Sequence, residues 1–127
     1  MEWQFDNNAP IYSQLVDRIK LAIVSGELAP GARLPSVRDM ATEAGVNPNT
    51  MQRALQELER DELVFSQRTS GRFVTEDNNV IDTAKKSLAQ AQVKSFLGAM
   101  GGLGFKPEEI LALIENEVKE ENKNADI

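Results

Sequence analysis

The sequence predicts a mainly α-helical chain with one small β-hairpin and a pair of helices at its C-terminal end. Three observations lead there. Residues 36–62 hold two short stretches of helical periodicity joined by a tight turn. Residues 63–75 hold two β-rich runs around a polar turn. Residues 80–121 hold two further helical stretches separated by a glycine cluster. Helix, turn, helix and then hairpin is the order of a winged helix-turn-helix, here followed by a C-terminal two-helix hairpin. The expected division is residues 1–75 for the winged helix-turn-helix and residues 76–127 for a short helical segment.

At the start, Trp3-Gln4-Phe5 alternates like a short edge strand packed on the core, and Asp6-Asn7-Asn8 breaks it. Pro10 opens a first helix at its N1 position, where a missing N–H costs nothing. Ile11, Leu15, Ile19, Ala22 and Ile23 make its apolar stripe, and Ser25-Gly26 ends it. Glu27-Leu28-Ala29-Pro30-Gly31 is a turn, of type II because glycine follows proline. Leu34 and Pro35 lead into the next helix.

Ser36 is that helix's N-cap candidate, with Asp39 three positions on in the manner of a capping box. Met40, Ala41 and Ala44 give it an apolar side. Gly45 ends it, since glycine takes a left-handed conformation without steric cost, and Val46 plugs the core beneath the turn. Asn47 caps the following helix and Pro48 sits at N1. Met51, Ala54, Leu55 and Leu58 recur at i, i+3, i+4 and i+7, while Asn49, Gln52, Arg53, Gln56 and Arg60 occupy the opposite face. In a helix-turn-helix that second helix enters the DNA major groove. An ordinary αα-hairpin with a solvated polar face shows the same pattern.

The run from Leu63 to Thr75 weighs against the ordinary hairpin. Two β-rich runs flank a polar turn containing Gly71, and a hairpin directly after a helix-turn-helix is a wing. Arg68 and Arg72, near its tip, can reach backbone phosphates or the minor groove.

Composition sets limits on function. The net charge is −6, from 14 Lys+Arg and 20 Asp+Glu, which runs against nucleic-acid binding. Residues 1–75 carry a net of −2 and residues 76–127 a net of −4. Every Arg lies in the first segment and every Lys but Lys20 in the second. Arg is the side chain that forks onto phosphate or guanine, so local patches must do any binding and non-specific affinity should be weak. There is no cysteine and no histidine, which excludes thiol chemistry and removes the commonest metal ligand and general base. No glycine-rich phosphate loop follows a strand and no catalytic constellation is recognisable, so neither an enzyme nor a cofactor or metal site is expected. With no bilayer-spanning run and no signal pattern, the expectation is a cytoplasmic protein with no membrane contact.

Pro10-Ile11-Tyr12, Leu28-Ala29-Pro30-Gly31, Leu34-Pro35-Ser36-Val37-Arg38, Gly45-Val46-Asn47-Pro48-Asn49-Thr50 and Gly71-Arg72-Phe73-Val74 stand in an order that resembles the winged-helix domain of the GntR family of bacterial transcription regulators. The resemblance covers about residues 10–75. The Asn-Pro-Asn-Thr turn and the short C-terminal segment are similar to the YtrA subfamily. The resemblance implies a sequence-specific regulator of a double-stranded DNA operator. It assigns DNA contact to Arg38, to Asn47, Asn49 and Thr50 at the start of the recognition helix, and to Gln52 and Arg53 on its outer face. It assigns the wing tip to Arg68, Thr69, Ser70 and Gly71. It further implies a repressor of a transporter-type operon. Two departures stand out. Many relatives have Arg where Pro48 stands and Arg or Lys where Gln52 stands, so base readout differs. Glu62 replaces a frequent Gly before Leu63-Val64, which strains or re-routes that turn.

Glu76-Asp77-Asn78-Asn79 reads as a polar linker. A helix over residues 80–100 carries Ile81, Ala84, Leu88, Phe96 and Met100 on roughly one side, and Gly101-Gly102-Leu103-Gly104 breaks it. Pro107 opens a last helix, with Glu108 and Glu109 in the first turn where the helix dipole favours them. Ile110, Leu111, Ile114 and Val118 are its apolar positions, and residues 122–127 are expected to fray. Two such helices cannot bury both stripes alone. They either fold back on the winged helix or close a homodimer through Ile81, Leu88, Phe96, Ile110, Leu111 and Ile114, and the resemblance supports the dimer. The segment is too short for the large effector-binding domains of other GntR branches, and an unidentified small-molecule effector, if one acts, is not written in it. The function weighed against a dimeric DNA-binding repressor is a winged-helix protein-interaction module without specific DNA binding, which the acidic charge would suit.

Overall fold

The computed structural model describes residues 1–125, in the order α1 (Ile11–Val24), α2 (Val37–Ala44), α3 (Pro48–Arg60), β1 (Val64–Gln67), β2 (Gly71–Val74), α4 (Asn78–Gly102) and α5 (Pro107–Ala125). This is the expected mainly helical chain with one antiparallel hairpin. Two compact units divide between Leu88 and Ala89.

In the first unit α1 and α2 pack on α3. Leu15, Ile19 and Ile23 of α1 meet Met40 of α2 and Met51, Leu55 and Leu58 of α3 in one buried cluster. The helical phase of α3 is the one its sequence predicts. That of α1 is turned slightly: Val16 is buried and Ile11, expected in the stripe, is 39% exposed. Pro10 stands at the N-cap rather than at N1. Trp3 and Phe5 are partly buried against the core and Gln4 is exposed, so the alternation is real. No strand forms there, because no neighbouring strand offers a ladder. Instead the Trp3 indole Nε1–H donates to Glu43 on α2 at 3.2 Å.

The Pro30-Gly31 turn is type II, with Gly31 at φ 78° and the Ala32 N–H donating to the Ala29 carbonyl at 3.0 Å. The chain beyond it lies along β2. The Gly31 N–H donates to the Val74 carbonyl, the Val74 N–H to the Ala32 carbonyl and the Leu34 N–H to the Arg72 carbonyl, at 3.0, 2.9 and 2.8 Å. Arg33 thereby sits opposite Phe73, and the wing has a third, bridging chain that local pattern did not reveal.

At the end of α3 the Leu63 N–H donates to the Leu58 carbonyl and the Glu62 N–H to the Glu59 carbonyl, both at 3.0 Å. This is a Schellman closure, and Leu58 and Leu63 supply its apolar contact. The motif needs a left-handed residue between helix and strand, and Glu62 fills that place at φ 66°. The turn that glycine would make is therefore kept, with the strain carried by a residue that has a Cβ.

The expected linker is shorter than its composition suggests. Asn78 and Asn79 already belong to α4, and the Asp77 carboxylate accepts from the Asn79 N–H at 2.9 Å. Ile81 is buried in the core of the first unit, with Val80 and Ala84 packed beside it, so Ile81 is not free for a partner as expected. In the second unit α4 continues through Gly101 and Gly102, and only Gly104, at φ 96°, turns the chain. Glu109 accepts from the Lys106 N–H at 3.0 Å and caps α5. That helix continues to Ala125 where fraying was expected, and the remaining tail residues Asp126 and Ile127 lie outside the described residues. Ile110, another expected pairing residue, is buried at 4% exposure, whereas Leu111 and Ile114 are exposed.

Candidate nucleic-acid interface

Three elements of the first unit carry the candidate side chains. On α2, the Ser36 hydroxyl accepts from the Asp39 N–H at 3.1 Å and fixes the first turn. Arg38 projects from that turn, exposed. Gly45, left-handed at φ 73°, ends α2. Asn47 then caps α3, its side-chain oxygen accepting from the Asn49 N–H at 2.8 Å, with Pro48 at N1. The Asn47 side chain is thus engaged in its own helix, while Asn49 is exposed and Thr50 and Gln52 are partly covered.

Arg53 lies in the middle of the exposed face of α3. Its guanidinium carbon is 4.3 Å from the centre of the Tyr12 ring, a cation–π seat provided by α1. The Tyr12 hydroxyl donates to Glu57, one turn farther along α3. That hydrogen bond, desolvation and the Glu57 charge raise the Tyr12 pKa above its ordinary 10.0, against the opposing pull of Arg53 and Arg60.

The wing pairs Val64 with Val74, Phe65 with Phe73, Ser66 with Arg72 and Gln67 with Gly71. The Phe65 and Phe73 rings stack at 5.8 Å. Arg68, Thr69 and Ser70 form the tip, closed by the Ser70 N–H donating to the Gln67 carbonyl at 3.1 Å. Gly71 takes φ 103°, and a Cβ there would come within 3.2 Å of the Arg33 guanidinium, which lies along the wing toward its tip. Arg33 was not singled out from sequence. The signal that could have found it is its place two residues before Pro35, in extended chain feeding the helix-turn-helix.

Arg72 is where the expectation fails. It is not a tip residue free for phosphate; its Nε–H donates to Glu59 on α3 at 2.6 Å. Burial pushes the Glu59 carboxyl up, but hydrogen bonds from Ser66 and Arg72, with the charge of Arg72, outweigh it and hold the pKa below its ordinary 4.5. Arg72 therefore braces the wing against α3. Arg18 is likewise committed, to Glu27 at 3.1 Å. Arg33, Arg38, Arg53, Arg60 and Arg68 are exposed and make no ion pair among the described residues. On α2, α3, the wing and its bridging chain these are, among the described residues, the cations left for a phosphate backbone and base edges.

Comparison with known proteins agrees with this geometry. The pattern described as "Bacterial regulatory proteins, gntR family" matches residues 11–74. The chain is similar to the uncharacterized HTH-type transcriptional regulator YhcF of Bacillus subtilis (strain 168), at 41% identity over 111 residues, covering 87% of this chain and 92% of that protein. It is 33% identical over 92 residues to the HTH-type transcriptional repressor YtrA of the same organism, covering 72% of this chain and 71% of that one. Among solved structures, a GntR family transcriptional regulator from Listeria monocytogenes superposes with a TM-score of 0.79 at 38% identity, covering 88% of this chain and 98% of that one. The AraR DNA-binding domain in complex with operator ORX1 superposes with a TM-score of 0.54 at 25% identity, covering 59% of this chain and 96% of that one. Among the described residues, no helix is long and apolar enough to cross a membrane.

Proposed function

Since the chain belongs to the gntR family of bacterial regulatory proteins, among its YtrA-like members, and is a DNA-binding transcriptional regulator rather than an enzyme, we propose that it acts as a homodimeric repressor of a transporter-type operon, reading an inverted-repeat operator. The observation that carries the DNA side is the set of exposed arginines on α2, α3 and the wing that make no ion pair among the described residues. In this reading Arg38 and Arg53 contact bases or phosphates in the major groove, with Asn49, Thr50 and Gln52 around them and Asn47 holding the helix start. Arg68, Thr69, Ser70 and Gly71 meet the backbone at the wing tip, joined by Arg33. A winged helix serving protein contacts alone would leave these cations unexplained.

The dimer rests on the second unit. Phe96, Leu97, Leu103, Leu111, Ile114 and Val118 are 42%, 43%, 73%, 62%, 38% and 54% exposed. Among the described residues Ile110 is the buried hydrophobic residue found there, so their burial gives this helical hairpin almost no core of its own. A second copy offers the same faces, and two hairpins close a four-helix core. Joining two weak winged helices raises apparent affinity by about 10²–10⁴ through effective concentration. A bound dimer then excludes other proteins from the DNA it covers, which is repression in its simplest form. The resemblance to the YtrA group supports the transporter-type target.

The test is sedimentation of the full chain beside Phe96→Asp. The full chain is expected as a dimer, and the variant as a folded monomer with much weaker hold on its DNA site. A variant that remains dimeric moves the interface elsewhere.

A further inference from the structure

Arg53 and Glu57 stand one turn apart on α3, at the i, i+4 spacing where Arg and Glu pair on a helix surface. Such a pair would hold the guanidinium against the helix and place a carboxylate beside the group meant for DNA. The pair is absent among the described residues. Tyr12, from α1, stands between the two. Its hydroxyl donates to Glu57, and its ring lies under the Arg53 guanidinium, 4.3 Å from ring centre to guanidinium carbon. Arg preceding Glu is the weaker order for an i, i+4 pair, so a single charge-assisted hydrogen bond is enough to divert Glu57.

We propose that Tyr12 is a positioning residue for operator binding, its ring seating Arg53 and its hydroxyl keeping Glu57 off Arg53, so that an unpaired guanidinium meets the DNA. The role rests on Arg53 being a DNA contact, as proposed above. It gives Tyr12 a function that helix packing alone does not require.

The full-length protein is first used to enrich duplexes from a random-sequence library. The enriched duplex and a scrambled duplex of equal composition, both fluorescein-labelled, then serve as probes in anisotropy titrations. Tyr12→Phe keeps the ring and removes the hydroxyl. It should weaken binding to the enriched duplex about two- to fivefold, the scale of breaking one exposed helix ion pair on binding, and leave the scrambled duplex nearly unaffected. Combining it with Glu57→Gln should remove that loss, because no carboxylate is left to capture Arg53. In an Arg53→Ala background, Tyr12→Phe should change nothing. Tyr12→Met removes ring and hydroxyl together without adding a donor, and its loss of affinity gives a second reading should the phenylalanine variant fold poorly. Parental affinity in Tyr12→Phe, or a loss that persists at full size in the Glu57→Gln or Arg53→Ala background, overturns the positioning role. A library from which the parent enriches nothing overturns the reading of the whole interface, and the positioning role with it.

Discussion

Replacing Glu62 by glycine should make the protein more stable. Glu62 holds φ 66°, and it is the non-glycine residue with positive φ among the described residues. The left-handed conformation costs an L-residue with a Cβ about 1–2 kcal/mol. Glycine escapes that cost but loses about 0.4–1 kcal/mol through the greater freedom of its unfolded chain. The difference leaves roughly 0.5–1 kcal/mol in favour of glycine. The hydrogen bonds that close the turn, Glu62 N–H to the Glu59 carbonyl and Leu63 N–H to the Leu58 carbonyl, belong to the backbone and survive the change. The Glu62 side chain makes no hydrogen bond or ion pair among the described residues that would be forfeited. For a unit of this size the gain is a rise of about 2–8 °C in Tm. Thermal unfolding followed by circular dichroism, with urea unfolding beside it, reads the effect. Glu62→Ala is the control: it removes the charge and keeps the Cβ, so it should gain little. A glycine variant that melts at or below the parent refutes the reasoning. An alanine variant that gains as much as glycine would move the effect from the backbone to the charge at the end of α3.

Leu55→Ala should cost about 2–5 kcal/mol, since Leu55 is fully buried and a cavity remains, whereas exposed Gln56→Ala should scarcely move the melting curve. Acid should loosen the wing brace: the folded pKa of Glu59 lies below its ordinary 4.5, so its stabilisation is complete above about pH 4.5 and is lost as pH falls through the folded value. Melting curves of parent and Glu59→Gln should therefore differ at neutral pH and converge in acid; a constant gap would contradict the brace. Arg33→Gln should lower the slope of log K against log[salt] by about 0.9 on the enriched duplex and leave Tm unchanged. Arg72→Gln should do the reverse, keeping the slope and lowering stability by at most about 1 kcal/mol because its pair with Glu59 is partly exposed.

What could be read from sequence was what neighbours in sequence decide. The Ser36 and Asn47 caps, the glycine turn at Gly45 and the buried face of α3 depend on residues within a turn or two of one another, and all stand as expected. Most of the errors arise from contacts between distant segments. Trp3-Gln4-Phe5 has the burial alternation of a strand but no strand beside it to pair with. Arg72 looked free because its partner, Glu59, lies 13 residues away on α3. Arg33 joined the wing only through the bridge to Phe73. Ile81 fits a helical stripe on either side of a unit boundary, and periodicity does not say which unit takes it. Gly101 and Gly102 continue α4 because a glycine permits a break without imposing one, and the left-handed turn falls on Gly104. The candidate interface was legible in its helix and wing tip. Its internal wiring, Tyr12 to Glu57 and Arg53 and Arg72 to Glu59, was not.

If two copies present two recognition helices to one operator, the DNA that the full chain enriches from a random library should record both. The enriched sequence should be an inverted repeat with half-sites about one helical turn apart, roughly 34 Å between successive major grooves. Native mass spectrometry of the complex on that duplex should show two chains per DNA. A single unrepeated half-site occupied by one chain would contradict the account.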